Sequence, residues 1–360
     1  LLFWRLISGV GAACIASSSI SMIVQVYPRS QRGLPLAINT MSIYIGASLG
    51  PGLGGFLTEA FGWESIFLAM VPISIAALIP LLMFKSEFCT SKGEPFDIKG
   101  TILYGAGIVA AMYGVVTLPN ISSTVFIAAG AILLTAFFRF EKRAEYPVLK
   151  VGLFRGRVFR RATLSTLLNY GASYAVLITM SLYLQDVGGM SPGKAGMIIL
   201  AQPLIQAVVT PFAGRMSDKI DPRKLTTAGM LMMCIGTALM ITITEEVMML
   251  KVYLTLMITG LGYALFSAPN TNLIMCSVSA KSYSESSGLI SVMRQVGMMV
   301  SVAILMCMIS VFMGTNAVIN DDIPSFIKAV KVAFSICFIV AIIGTYMTWT
   351  ARDKISKNAA

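Results

Sequence analysis

Eleven apolar stretches, separated by short polar segments, set the pattern of this chain. They run over 3–25, 34–57, 65–84, 100–118, 123–140, 161–184, 195–213, 224–243, 250–276, 286–312 and 326–350. A bilayer core needs roughly 17–25 helical residues to cross it, so each stretch predicts one membrane-spanning helix. Two longer polar segments divide the series. Residues 86–99 include Cys-Thr-Ser-Lys-Gly-Glu-Pro, and residues 139–161 form the longest basic stretch. The predicted organisation is three spans over 1–85, a central linker with a helical hairpin over 86–150, and a six-helix bundle over 151–360.

Composition agrees with this pattern. The chain is 56% hydrophobic and 12% charged, against roughly 25% charged residues in a soluble domain. That excludes soluble, fibrous and disordered classes and predicts an all-α polytopic membrane protein. Net charge is +11, which alone would suggest nucleic acid. The positions of the charges argue otherwise. Of the 27 lysines and arginines, 21 fall on one side of the predicted topology and four on the other. Such a bias marks the cytoplasmic side. It predicts a cytoplasmic C-terminus, and the charge is a topology signal rather than a nucleic-acid footprint.

The absence of histidine excludes imidazole metal sites and histidine acid–base chemistry. Cys14, Cys89, Cys234, Cys276, Cys307 and Cys337 lack metal-ligand spacing and read as small core residues. Leu1 lies inside an apolar run with no basic segment before it, so no signal peptide is expected and the N-terminus is expected to be missing.

Within the second run, Gly46–Gly55 reads Gly-Ala-Ser-Leu-Gly-Pro-Gly-Leu-Gly-Gly. Ser42, Gly46, Gly50, Gly54 and Thr58 share one helix face, and Ala47, Pro51 and Gly55 form a second row. Small rows let membrane helices approach backbone to backbone, and Pro51 predicts a kink. The same letters match a dinucleotide pattern, but no strand or βαβ unit accompanies them. Gly188–Lys194 nearly matches a P-loop, yet lacks the final Ser/Thr and a preceding strand. Asn120-Ile-Ser122 is a glycosylation pattern.

Ionisable groups in hydrocarbon are costly and usually functional. All sixteen acids fall in loops or at span edges. Arg294 lies about eight residues into its span, roughly 12 Å. Arg5 lies about 33 Å from Tyr27 along the same rise. Each is either an interfacial anchor or a cation lining a polar cavity. Asn39, Asn169, Gln202, Gln206, Asn270, Asn272 and Gln295 add neutral polar groups to five of the eleven spans. As a set they predict helices that face a wet cavity, although any single amide could equally bridge two helices. Gly214-Arg-Met-Ser-Asp218-Lys219 to Arg223 predicts a tight charged loop between the seventh and eighth spans. There Asp218 would pair with Arg223 or cap the next helix, a cluster able to latch one conformation.

These residues carry a resemblance. Gly46–Gly55 looks like the antiporter motif of the major facilitator superfamily. Arg5-Leu-Ile-Ser-Gly9-Val-Gly11 resembles its fourth-helix motif, with Ser8 in place of the usual Gln. Tyr27-Pro28 and Arg32-Gly33 also fit. Gly214–Lys224 resembles the C-terminal copy of the loop signature, with Asp221 where Gly is usual. Phe154-Arg155 through Phe159, and Arg294-Gln295-x-Gly297, resemble the fourteen-span drug:proton antiporters of the EmrB/QacA type. The resemblance implies a 6 + 2 + 6 helix plan, of which 3 + 2 + 6 would be present and the first three helices missing. It implies export of small lipophilic or cationic compounds, multidrug efflux in exchange for protons, by alternating access in the plasma membrane. It implies no enzyme activity and no cofactor beyond the proton gradient. The implied partners are bilayer, substrate and protons; an adaptor protein stays open, as do a metabolite exporter, a symporter and a non-transporting membrane protein. The proton-carrying acid would lie in the missing first helix.

Overall fold

In the computed structural model, residues 2–83, 97–118, 121–144, 147–314 and 319–351 are described. Among them the chain is helical, without strands. The helices are α1 (Leu2–Val26), α2 (Gly33–Phe61), α3 (Ser65–Met83), α4 (Ile98–Val116), α5 (Ile121–Glu141), α6 (Arg157–Ser173) and α7 (Ala175–Leu182). They continue as α8 (Pro192–Ile199), α9 (Ala201–Lys219), α10 (Pro222–Ile241), α11 (Met249–Cys276), α12 (Tyr283–Met313) and α13 (Ile323–Trp349). All eleven apolar runs fall on helical rods, because α6 joins α7 and α8 joins α9. Among the described residues, nine rods are long and apolar enough to cross a membrane. This is an integral membrane protein.

Small residues set the closest packing. A Cβ on Gly229 of α10 would lie 2.7 Å from the Gly262 carbonyl oxygen of α11. In the α4–α5 hairpin, a Cβ on Gly130 would lie 2.5 Å from the Ala111 nitrogen. Such contacts use backbone proximity where lipid removes the hydrophobic drive for helix association. A larger apolar core, built on Val176, Met180, Leu256, Phe326 and Phe334, joins α7, α11 and α13. The break between α6 and α7 frees the Ala175 amide, which donates to Ser301 Oγ on α12 at 3.0 Å.

Burial along α2 changes halfway. Gly33, Leu36, Ala37, Thr40, Tyr44 and Ser48 form one buried stripe, and no described residue beyond Ser48 is buried. The first helices therefore meet α9, α11 and α12 at one end. That end carries the basic connections and is called the basic end below.

Candidate functional site

Most glycines of the small-residue stretch of α2 have open space beside them among the described residues. Nothing approaches within 4 Å of a Cβ placed on Gly46, Gly50 or Gly55, and Gly54 meets only Ile66 Cδ1 at 4.0 Å. The close approach expected there occurs one helix-half earlier, at Gly33. A Cβ on Gly214 of α9 would lie 2.5 Å from the Gly33 carbonyl oxygen and would also strike Ala37. Helix α2 remains helical through Pro51. The Pro51 and Arg5 side chains lie outside the described residues, as do Cys89, Asn120 and Lys354.

The signature around Gly214 is a helix end rather than a loop. α9 continues to Lys219, six residues beyond the predicted run, and its last turns put Gly214, Ser217 and Asp218 against α2. Asp218 Oδ1 accepts from the Gly33 amide at 2.7 Å, and Oδ2 accepts from the Leu34 amide at 3.3 Å. Asp218 therefore neither pairs with Arg223 nor caps α10. Asp221 does both. Its Oδ1 accepts from the Arg223 amide at 3.0 Å, and its Oδ2 lies 3.2 Å from the Arg223 guanidinium. The α2 N-terminus has unpaired amides and a partial positive charge, which a carboxylate satisfies.

Arg32, one residue earlier, completes the basic-end junction. It is 6% exposed. Its Nε donates to Tyr27 O at 3.0 Å, and Nη2 donates to Val24 O. Its guanidinium lies 5.1 Å from the Tyr283 ring centroid at the start of α12. A cation that binds the last carbonyls of α1 and stacks on α12 joins three segments. Asn272 Nδ2 donates to Ser217 Oγ at 3.3 Å, tying α11 to the same corner.

Further from the basic end, tyrosines and hydroxyls converge. Arg294 of α12 sits 5.8 Å from the centroid of Tyr170 on α6. Tyr170 packs against Tyr263 of α11 at 5.3 Å between ring centroids, tilted by 48°. The Tyr170 hydroxyl lies 3.5 Å from Ser267 Oγ, and Ser173 Oγ donates to the Tyr263 hydroxyl at 2.8 Å. Tyr44, buried on α2, brings its hydroxyl within electrostatic reach of Tyr170, Ser267 and Arg294. One cation, three phenols and two serines thus form a polar aromatic wall between α2 and the later helices.

The amides divide. Asn270 donates to Ala162 O at 3.1 Å and to Thr166 Oγ1 at 2.9 Å, bolting α11 to α6. Asn169 donates to Met230 Sδ at 3.1 Å. Gln202 is fully buried, and both its amide atoms lack partners. Gln206 is buried on the same face of α9, Asn39 is half-buried and Gln295 is exposed. Asn39 lines a cleft of about 770 Å³ with Leu34, Pro35, Arg215 and Asp218. Sequence reasoning missed Tyr44, Tyr170 and Tyr263. The available signal was a serine on the same helix face as each tyrosine, Ser173 three residues after Tyr170 and Ser267 four after Tyr263, each of which bonds the tyrosine of the other helix.

The model of the Major Facilitator Superfamily matches residues 1–154 and 162–359, and the chain belongs to that family. It is 29% identical over 303 residues to the multidrug resistance protein Stp of Mycobacterium tuberculosis, covering 82% of this chain and 56% of the relative. It is 25% identical over 355 residues to the riboflavin transporter RibZ of Clostridioides difficile, covering 98% and 78%. It is 28% identical over 318 residues to a multidrug resistance protein B homolog of M. tuberculosis, covering 85% and 58%. The chain thus spans little more than half the length of the two resistance proteins. A bacterial homologue of the iron transporter ferroportin in its outward-facing state aligns with TM-score 0.43 and 14% identity over 98% of this chain and 90% of that one.

Proposed function

We propose that the chain forms part of a secondary transporter that exports small lipophilic or cationic compounds in exchange for protons. The basic end faces the cytoplasm of a plasma-membrane protein, and the C-terminus lies on that side. The observation that carries this reading is the α2–α9 junction. Asp218 holds the α2 N-terminus at the basic end while the other half of α2 stands clear. A contact confined to one end, made by hydrogen bonds, can open and reform as the two sides rock. Opening of the bundle would expose the flat faces of the buried tyrosine wall to planar lipophilic molecules. The names of the resistance-protein relatives support the same substrate class.

A metabolite exporter is the second reading. The riboflavin transporter relative and the packed Tyr170–Tyr263 pair favour it. The test uses the full-length protein in proteoliposomes. Dye efflux driven by an imposed pH gradient, and abolished by a protonophore, is the expected result. Uptake or efflux indifferent to that gradient overturns proton antiport.

A further inference from the structure

Away from the tyrosine wall, two carboxylates turn towards one buried point. Asp97 caps α4, with Oδ1 accepting from the Gly100 amide at 2.8 Å. Glu141 ends α5 and is 3% exposed. Its Oε2 accepts from the Leu149 amide of the following segment at 3.3 Å. The remaining oxygens, Asp97 Oδ2 and Glu141 Oε1, are buried and have no donor among the described residues. Both crowd the space above Gly100. A Cβ there would lie 2.6 Å from Glu141 Oε1 and would strike Asp97 Oδ2. Glu285 of α12 adds a third carboxylate. Lys150 occupies its Oε1 at 2.7 Å, and its Oε2 is buried without a partner.

Two facing carboxylate oxygens in a site without donors repel unless something positive lies between them. Lys142, Lys150, Arg155 and Arg160 line the neighbouring cleft with Glu141, but none donates to Oε1. No group of three or more acids, cysteines or histidines among the described residues is disposed to hold a metal ion. We propose that Glu141 binds a proton taken from solvent and donates it, as an O–H···O hydrogen bond, to Asp97 Oδ2. This proton site joins the start of α4, the end of α5 and the segment leading into α6. Gly100 leaves the room it needs. The proposal does not depend on which compound is transported.

The test compares purified wild type with Glu141→Gln, whose amide can donate to Asp97 without a proton from solvent. Infrared spectra recorded above the ordinary glutamate range should show a protonated carboxylic-acid band that Glu141→Gln lacks. The proton-bound joint is intact at low pH and opens as the proton leaves. Wild-type melting temperature should therefore fall as pH rises above the ordinary glutamate range, about 4.3, and the variant should lose that dependence. Asp97→Ser retains a capping oxygen and should also remove the band. Three results overturn the proposal: no such band in wild type, an unchanged pH dependence in Glu141→Gln, or a melting temperature at high pH that sodium or calcium restores in wild type but not in the variant. The last would mean that a metal cation fills the gap.

Discussion

Asp218 on α9 and Gly33 on α2, 185 residues apart, are joined by a 2.7 Å hydrogen bond from the Gly33 amide to the carboxylate. Carboxylates at helix N-termini contribute about 0.3–1 kcal/mol when exposed and up to about 2 kcal/mol when partly buried. Asp218→Asn keeps an acceptor and loses the charge, so it should weaken the junction by about 1 kcal/mol. Asp218→Ala removes both hydrogen bonds and should cost more. Labels on the basic ends of α2 and α9, read by double electron–electron resonance, should show a larger share of separated molecules in that order. The equivalent change at Asp221, whose carboxylate bonds the Arg223 amide and guanidinium, should leave the distance unchanged.

The Gly214 approach predicts a steric result. Gly214→Ala drives a methyl group into Ala37 and the Gly33 carbonyl. Overpacking of this kind costs about 1–3 kcal/mol. Melting temperature should fall and the α2–α9 distance should lengthen. An alanine at Gly46, which has open space around it, should do neither.

At the tyrosine wall, ring and hydroxyl can be separated. Tyr170→Phe keeps the face under Arg294 and loses the contact with Ser267. Tyr170→Leu loses both. Cation–π pairs contribute about 0.5–2 kcal/mol, depending on desolvation. Binding of a planar aromatic dye should weaken severalfold in Tyr170→Leu and little in Tyr170→Phe, measured by fluorescence titration.

Acid sensitivity follows from the start of α13. The Ser325 hydroxyl and amide hold the Asp322 carboxyl below the usual carboxylate range, with Lys328 adding to the shift. A depressed carboxylate stabilises above its unfolded value and loses that contribution as pH falls through the folded one. The window therefore lies below about pH 4. Hydrogen exchange should show the first turn of α13 fraying there. Asp322→Asn should remove the acid dependence with little change at neutral pH.

The helical runs were legible because a bilayer imposes length and apolarity on each span, and both are properties of contiguous sequence. The position of Gly214–Asp218 was not. A helix that continues past the apolar run leaves no hydrophobic trace, so polar residues on its last turns read as a loop. The partner of Asp218 is a backbone amide, which no residue type announces. Tyr44, Tyr170 and Tyr263 were hidden because tyrosine counts as apolar in any hydropathy pattern, and only its hydroxyl neighbours separate a polar wall from ordinary core. Gly46–Gly55 is a different case. Small residues permit a close neighbour without requiring one, and Gly33 with Gly214 makes the close approach instead.

The α2–α9 junction contains almost no bulk. Glycine meets glycine, and a carboxylate meets two amides. Parting Gly33 from Gly214 itself uncovers little apolar area, at about 25 cal/mol per Å², while Leu36 and Tyr44 supply the apolar burial further along α2. The joint behaves as a detent rather than a weld. Its grip depends on whether a few polar atoms find one another, so ions, lipid headgroups or a bound molecule competing for those atoms would set how often it releases.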